Sequence, residues 1–138
     1  MQRVIVVLGS GIWISAFPFG GTPLAALDSV FSDHTVAICD QIVAEVRATL
    51  VHKFSWKDEE VLDVLKEYTS DGKHVAVTGT LNGLCRDLKD DMVFECAVKA
   101  DAEIILSGDN DLLSAKTYRG IEVLTARQYL DRLIPPPA

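Results

Sequence analysis

Five acidic residues sit where the surrounding pattern places strand ends or helix starts: Glu45, Asp90, Asp91, Asp109 and Asp111. Glu45 lies in "IVAEV", Asp90 and Asp91 in "LKDDMVFECAV", and Asp109 and Asp111 in "EIILSGDNDLL". Two carboxylates about 4 Å apart repel by roughly 4 kcal/mol at an effective dielectric near 20. A divalent cation removes that repulsion, and hard oxygen donors with water completing the shell suit Mg²⁺ or Mn²⁺. Such a centre can hydrolyse a phosphodiester. Each acid alone has an ordinary use. Asp90 and Asp91 can serve as N-cap and dipole partner, Asp109 and Asp111 as turn formers, and Glu45 as a solvated helix residue. Only their joint placement points to a cation.

A second stretch, Gly9-Ser10-Gly11, follows the β-branched run "RVIVVL". A dinucleotide fingerprint requires a third glycine at position 14. Ile14 stands there and would obstruct the close helix–strand packing that this glycine permits. No Gly-Lys-Ser/Thr follows, so a Walker loop is absent as well. The two glycines make a turn after a strand, and a nucleotide-binding regulator is the weakest of the function classes considered.

These residues depend on an alternation of strands and helices. Residues 3–8 read as a strand buried on both faces. A Gly- and Pro-rich loop is expected over 17–23, then a helix from Pro23 capped by Thr22. A strand at 34–39 leads into a helix over 41–54 capped by Asp40. A further helix is expected from Ser55 to 69, a strand at 74–79, a loop over 80–89 and a helix at 90–100. Strands at 103–107 and 121–125 and a helix at 126–133 complete the pattern. Such alternation implies right-handed crossovers and a three-layer α/β/α fold around a parallel sheet of about five strands. Sites in such sheets form outside the carboxyl ends of the strands. Glu45, Asp90 and Asp109 are therefore expected to converge near Gly9, with Asp40 and Asp63 elsewhere.

The 138 residues suggest one domain, 1–134, with a Pro-rich tail at 135–138. The net charge of −7 argues against a broad basic face for nucleic acid, although a carboxylate-held cation is itself an acidic site. Cys39, Cys85 and Cys96 are odd in number and form no CxxC pair, which fits a reducing cytoplasm. The short apolar N-terminal run reads as neither a signal peptide nor a membrane span.

The order of elements and acids resembles the PIN domain, from about residue 3 to residue 133. Ile12-Trp13-Ile14-Ser15-Ala16 is similar to the family's apolar-Trp-apolar-Ser-Ala segment, "GTPLAAL" to its next helix start, and "CRDLKDDMVFECAVKADAEIILSGDNDLL" to its most recognisable stretch. The resemblance implies a Mg²⁺- or Mn²⁺-dependent endoribonuclease, the toxin of a bacterial toxin–antitoxin pair. It implies catalytic roles for Glu45, Asp90 and Asp109, with Asp111 as a further metal-site acid. Ser10, Asp91 and Arg86 are supporting residues, Arg86 as a phosphate contact. A single-stranded RNA substrate, an antitoxin partner and a homodimer follow from the same resemblance. The departure lies at the end of the first strand, where the family's first acid falls on Gly9. The loop then reads as a metal-site corner without its carboxylate. The alternative is a PIN-fold binding module that retains only antitoxin binding or self-association.

Overall fold

The computed structural model describes residues 3–79, 88–108, 113 and 117–133. The first strand, β1 (Ile5–Leu8), is followed by helices α1 (Ser10–Phe19) and α2 (Gly21–Asp33). Strand β2 (Thr35–Cys39), helices α3 (Asp40–Phe54) and α4 (Asp58–Thr69), and strand β3 (Lys73–Val75) come next. Helix α5 (Leu88–Ala100) leads to β4 (Ile104–Leu106), β5 (Thr117–Tyr118), β6 (Ile121–Leu124) and the last helix, α6 (Ala126–Leu133).

The strands form one sheet in the order β3-β2-β1-β4-β6-β5. The first five are parallel, and the two-residue β5 runs antiparallel to β6. Val7 pairs with Ala37 on one side and Ile105 on the other, and Ile105 pairs with Val123. From β1 the chain first moves outward through β2 to β3. It then crosses back through α5 to β4 on the other side of β1. Right-handed crossovers put α5 on the face opposite α1–α4. The order thus reverses between β1 and β4, which opens a crevice at their carboxyl ends.

Val6, Val7, Leu8, Ile105 and Leu106 are fully buried, as expected for central strands covered on both faces. Trp13 is the largest fully buried side chain. Its indole Nε1 donates to the Leu8 carbonyl at 3.2 Å, and its ring meets Phe17 at 5.9 Å and Tyr68 at 6.1 Å. One side chain therefore ties α1 to the end of β1 and to α4.

Several expected boundaries shift for physical reasons. Residues 17–23 are not a loop. Pro18 lies in the last turn of α1, where the helix continues to Phe19, and the break is confined to Gly20. Gly20 and Gly21 have φ of 68° and 61°, which only glycine adopts freely, so α2 starts at Gly21 rather than Pro23. The N-cap of α3 is Cys39, and Asp40 lies in the first turn. Ser55 ends α3 in a left-handed conformation instead of starting α4. Helix α4 begins at Asp58, which receives a two-pronged hydrogen bond from Arg47 at 3.0 and 2.7 Å. Strand β3 stops at Val75. Beyond it, side chains take over the backbone groups: Gln41 donates to the Val77 carbonyl at 3.1 Å and Lys99 to the Ala76 carbonyl at 3.0 Å. The Pro-rich tail expected at 135–138 lies outside the described residues.

Replacing Trp13 by alanine removes the indole and its hydrogen bond to the Leu8 carbonyl, at an expected cost of about 3–5 kcal/mol. Phe19 is 74% exposed, and Phe19→Ala is expected to cost less than about 1 kcal/mol. Urea denaturation of the two variants distinguishes the outcomes.

Candidate functional site

A cavity of about 620 Å³ opens in the crevice between β1 and β4. Its floor is the turn after β1 and the turn after β4. The Gly9 amide donates to the Leu106 carbonyl at 2.9 Å, which joins the two strand ends. Ser10 starts α1 on one side of this joint, and Ser107 and Gly108 follow β4 on the other; all three line the cavity.

Two carboxylates enter the cavity from different elements. Glu45 is on the second turn of α3, which begins without a loop after β2, and it is half-buried. Asp90 is in the first turn of α5 and is 7% exposed. A groove of about 580 Å³ continues between α3 and α5, sharing Glu45 and Val93 with the main cavity. The remaining wall comes from α2 and α6. Thr125 caps α6 reciprocally: its hydroxyl accepts from the Gln128 amide at 3.0 Å, and its amide donates to Gln128 Oε1 at 2.9 Å. That cap places Arg127 in the cavity wall, where its Nη2 donates to Thr22 Oγ1 at 3.3 Å.

Gly9, Ser10, Glu45 and Asp90 thus line one cavity, whereas Asp40, Asp63 and Asp91 are not among its lining residues. Asp91 is buried in the first turn of α5, where the helix dipole favours a negative charge. Asp109, Asp111 and Arg86 lie outside the described residues. Sequence reasoning missed Ser107, Thr125 and Arg127. The spacing Thr-x-x-Gln at 125–128 is a capping signature that marks the start of α6 and so the place of Arg127. It also missed Glu95, a buried carboxylate with a structural use. Glu95 Oε2 accepts from the Thr78 amide at 2.6 Å and pairs with Lys99 at 3.0 Å.

Among the described residues, no three His, Cys, Asp or Glu side chains form a metal-ligating group. The cavity offers two carboxylates and the hydroxyls of Ser10 and Ser107. All are hard oxygens, and such a set fits a Mg²⁺- or Mn²⁺-like cation that keeps much of its water shell. Position 9 has room for one more donor. A Cβ built there lies 3.4 Å from the Leu106 carbonyl and 3.9 Å from Ser107 Oγ, both ordinary contacts. The backbone has φ −63° and ψ 156°, which any residue adopts. A side chain at this corner would stand beside Ser107 at the cavity floor.

A family model described as the PIN domain matches residues 6–111. Two solved structures share the fold. One is VapBC2 from Rickettsia felis, bound to a DNA fragment from its promoter. It is 14% identical to this chain, covers 88% of it and 98% of its own length, and has a TM-score of 0.62. The other is VapC20 from Mycobacterium tuberculosis, a sarcin–ricin loop cleaving toxin. It is 10% identical, with coverage of 85% of this chain and 98% of its own, and a TM-score of 0.61. At these identities the likeness is one of fold. No curated protein matches the sequence.

The geometry at two glycines gives opposite expectations. Gly9→Asp should leave the fold intact, with a stability change below about 1 kcal/mol, because the lower freedom of the unfolded chain and an aspartate at the N-cap of α1 oppose added repulsion. Gly72→Ala should cost about 1–3 kcal/mol, since the new Cβ would lie 2.5 Å from the Val36 carbonyl and 3.1 Å from the Thr69 carbonyl. Thermal unfolding without added metal checks both.

Proposed function

The chain belongs to the PIN-domain family, and we propose that it is a Mg²⁺- or Mn²⁺-dependent endoribonuclease, the toxin of a toxin–antitoxin pair, with its activity lowered by Gly9. The observation that carries this reading is the meeting of Glu45, Asp90 and Gly9 in one cavity at the point where the strand order reverses. The family match supports the nuclease class. The fold shared with VapC20, a sarcin–ricin loop cleaving toxin, supports RNA as the substrate.

In this reading Glu45 and Asp90 would hold the cation directly or through water, and Asp109 and Asp111 would complete the donor set. The bound cation supplies charge neutralisation at the phosphate and a more acidic water. Glu45, half in solvent, orients the attacking water and receives its proton. The Ser10 and Ser107 hydroxyls hold water or a neighbouring carboxylate. Asp91 supports the start of α5, and Arg86 is a phosphate contact. The missing carboxylate at position 9 takes one oxygen from a cation that uses few protein ligands.

The substrate is single-stranded RNA. An antitoxin and a second copy of the chain are the protein partners, and the reducing cytoplasm is the compartment. Apolar surface is available for such partners at Phe19 and Phe31, which are 74% and 39% exposed. No helix among the described residues is long and apolar enough to cross a membrane. Gly9 also favours a second reading, in which the same fold binds its partner without cleaving.

Two measurements separate the readings. Single-stranded RNA with Mn²⁺ should be cut about 10–100-fold faster by Gly9→Asp than by the present chain, and not by the double variant that adds Asp90→Asn. Mn²⁺ should also raise the melting temperature, more so for Gly9→Asp; at a hundredfold excess over Kd the stabilisation is about 2.7 kcal/mol. Equal cleavage by both proteins would overturn the impairment. No cleavage and no Mn²⁺ shift in either would leave the binding module.

A further inference from the structure

The cavity must accept a polyanion, yet its described side chains carry two acids and one base. Arg127 is the only Lys or Arg among the described lining residues. The whole chain has a net charge of −7, which argues against a broad basic face. A local cationic side chain in this cavity is therefore informative.

Four other described basic side chains are already engaged with carboxylates. Arg47 pairs with Asp58, Arg132 with Glu122, Lys99 with Glu95 and Lys73 with Asp101. Arg127 has no carboxylate within ion-pair distance among the described residues. Its one described hydrogen bond goes to the neutral Thr22 hydroxyl. That bond uses one of five guanidinium N–H donors and restrains the side chain, while the charge and the other donors stay available. A planar guanidinium with free donors is well suited to a phosphate. The first turn of α6, where Arg127 lies, also carries the positive end of the helix dipole.

The position of Arg127 along the sheet separates it from the acids. Glu45 follows β2 and Arg127 follows β6, and between these strands lie β1 and β4. Three strand spacings of about 4.8 Å put the two strand ends roughly 14 Å apart. The acids and the arginine therefore serve different points of one RNA backbone.

We infer that Arg127, tethered by Thr22, anchors single-stranded RNA in this cavity through a backbone phosphate other than the one that is cut. The inference rests on the ribonuclease reading and gives that site its second contact point. Arg127 acts on binding and register. Arg127→Ala keeps a good helix former at an exposed helical position, so the fold is retained.

The test is the affinity of a fluorescently labelled ten-nucleotide single-stranded RNA, measured by anisotropy over a series of salt concentrations. Ca²⁺ replaces Mn²⁺ so that the oligonucleotide stays whole. The proteins are the present chain, Arg127→Ala, Arg127→Lys, Thr22→Val, and Arg47→Ala as a remote control. Arg127→Ala should weaken binding about tenfold and reduce the slope of log affinity against log salt by about 0.7, the share of one phosphate contact. Arg127→Lys should keep the slope and recover part of the affinity, and Thr22→Val should weaken binding with the slope unchanged. Arg47→Ala should match the present chain. In the Gly9→Asp protein, Arg127→Ala should raise KM for RNA cleavage with little change in kcat. Binding that Arg127→Ala leaves unaltered in affinity and slope overturns this inference alone. No RNA binding by the present chain overturns the ribonuclease reading and this inference with it.

Discussion

The hydrogen bond from the Gly9 amide to the Leu106 carbonyl closes the sheet at the point where its strand order reverses. Strands β1 and β4 carry crossovers that leave in opposite directions, which opens a crevice at their carboxyl ends. The bond keeps those ends level. Every wall of the cavity is then set by how far each neighbouring helix starts from its strand. Helix α3 starts at once after β2, which brings Glu45 within reach on its second turn. Helix α6 starts two residues after β6 and is fixed by the Thr125–Gln128 cap. Helix α5 is held along the sheet by Phe94 and Ala97 in the core, and its first turn delivers Asp90. The Trp13 bond to the Leu8 carbonyl secures the remaining corner.

The charges fall into two kinds. Most described ion pairs are on the surface and join neighbouring elements, as Arg47–Asp58 joins α3 to α4 and Arg132–Glu122 joins α6 to β6. Such exposed pairs contribute little to stability. The pairing with Arg47 still holds the Asp58 carboxyl below its usual range. Its contribution is present above the unfolded-state value and is lost as the pH falls through the lowered one. Glu95 is different, because its carboxylate is 3% exposed and serves both Lys99 and the backbone of Thr78. It orders the exit from β3. The cavity brings Glu45, Asp90 and Arg127 to one lining.

The sheet was legible because Val6, Val7, Ile38 and Ile105 lie in short β-branched runs that only a strand covered on both faces can use. Helix α1 was not. Pro18 and the Gly20-Gly21 pair carry a loop signal, and burial of Trp13 and Ala16 overrides it up to Phe19. Strand β3 was read too long, because the apolar alternation of "HVAVTG" persists where Gln41, Lys99 and Glu95 have replaced a strand partner. The two-residue β5 leaves no periodicity to read. The acids were legible one by one, since a carboxylate at a strand end draws attention in any sequence. Ser107, Thr125 and Arg127 were not, because small hydroxyls and a lone arginine on a terminal amphipathic helix look ordinary until the fold sets them beside Gly9.

The pairing of β1 with β4 has a consequence for the order of events during synthesis. Leu8 meets Leu106, and Leu106 meets Leu124, so the cavity floor joins segments about a hundred positions apart. Strands β1, β2 and β3, with α1–α4, pair with near neighbours in the chain and can associate early. Contacts between distant segments form late, and translation at roughly 5–20 residues per second delays the last segments by several seconds more. A nascent chain that has emerged through α4 carries Glu45 but lacks Asp90, Ser107 and Arg127. The pocket is therefore the last region of the molecule to come into being.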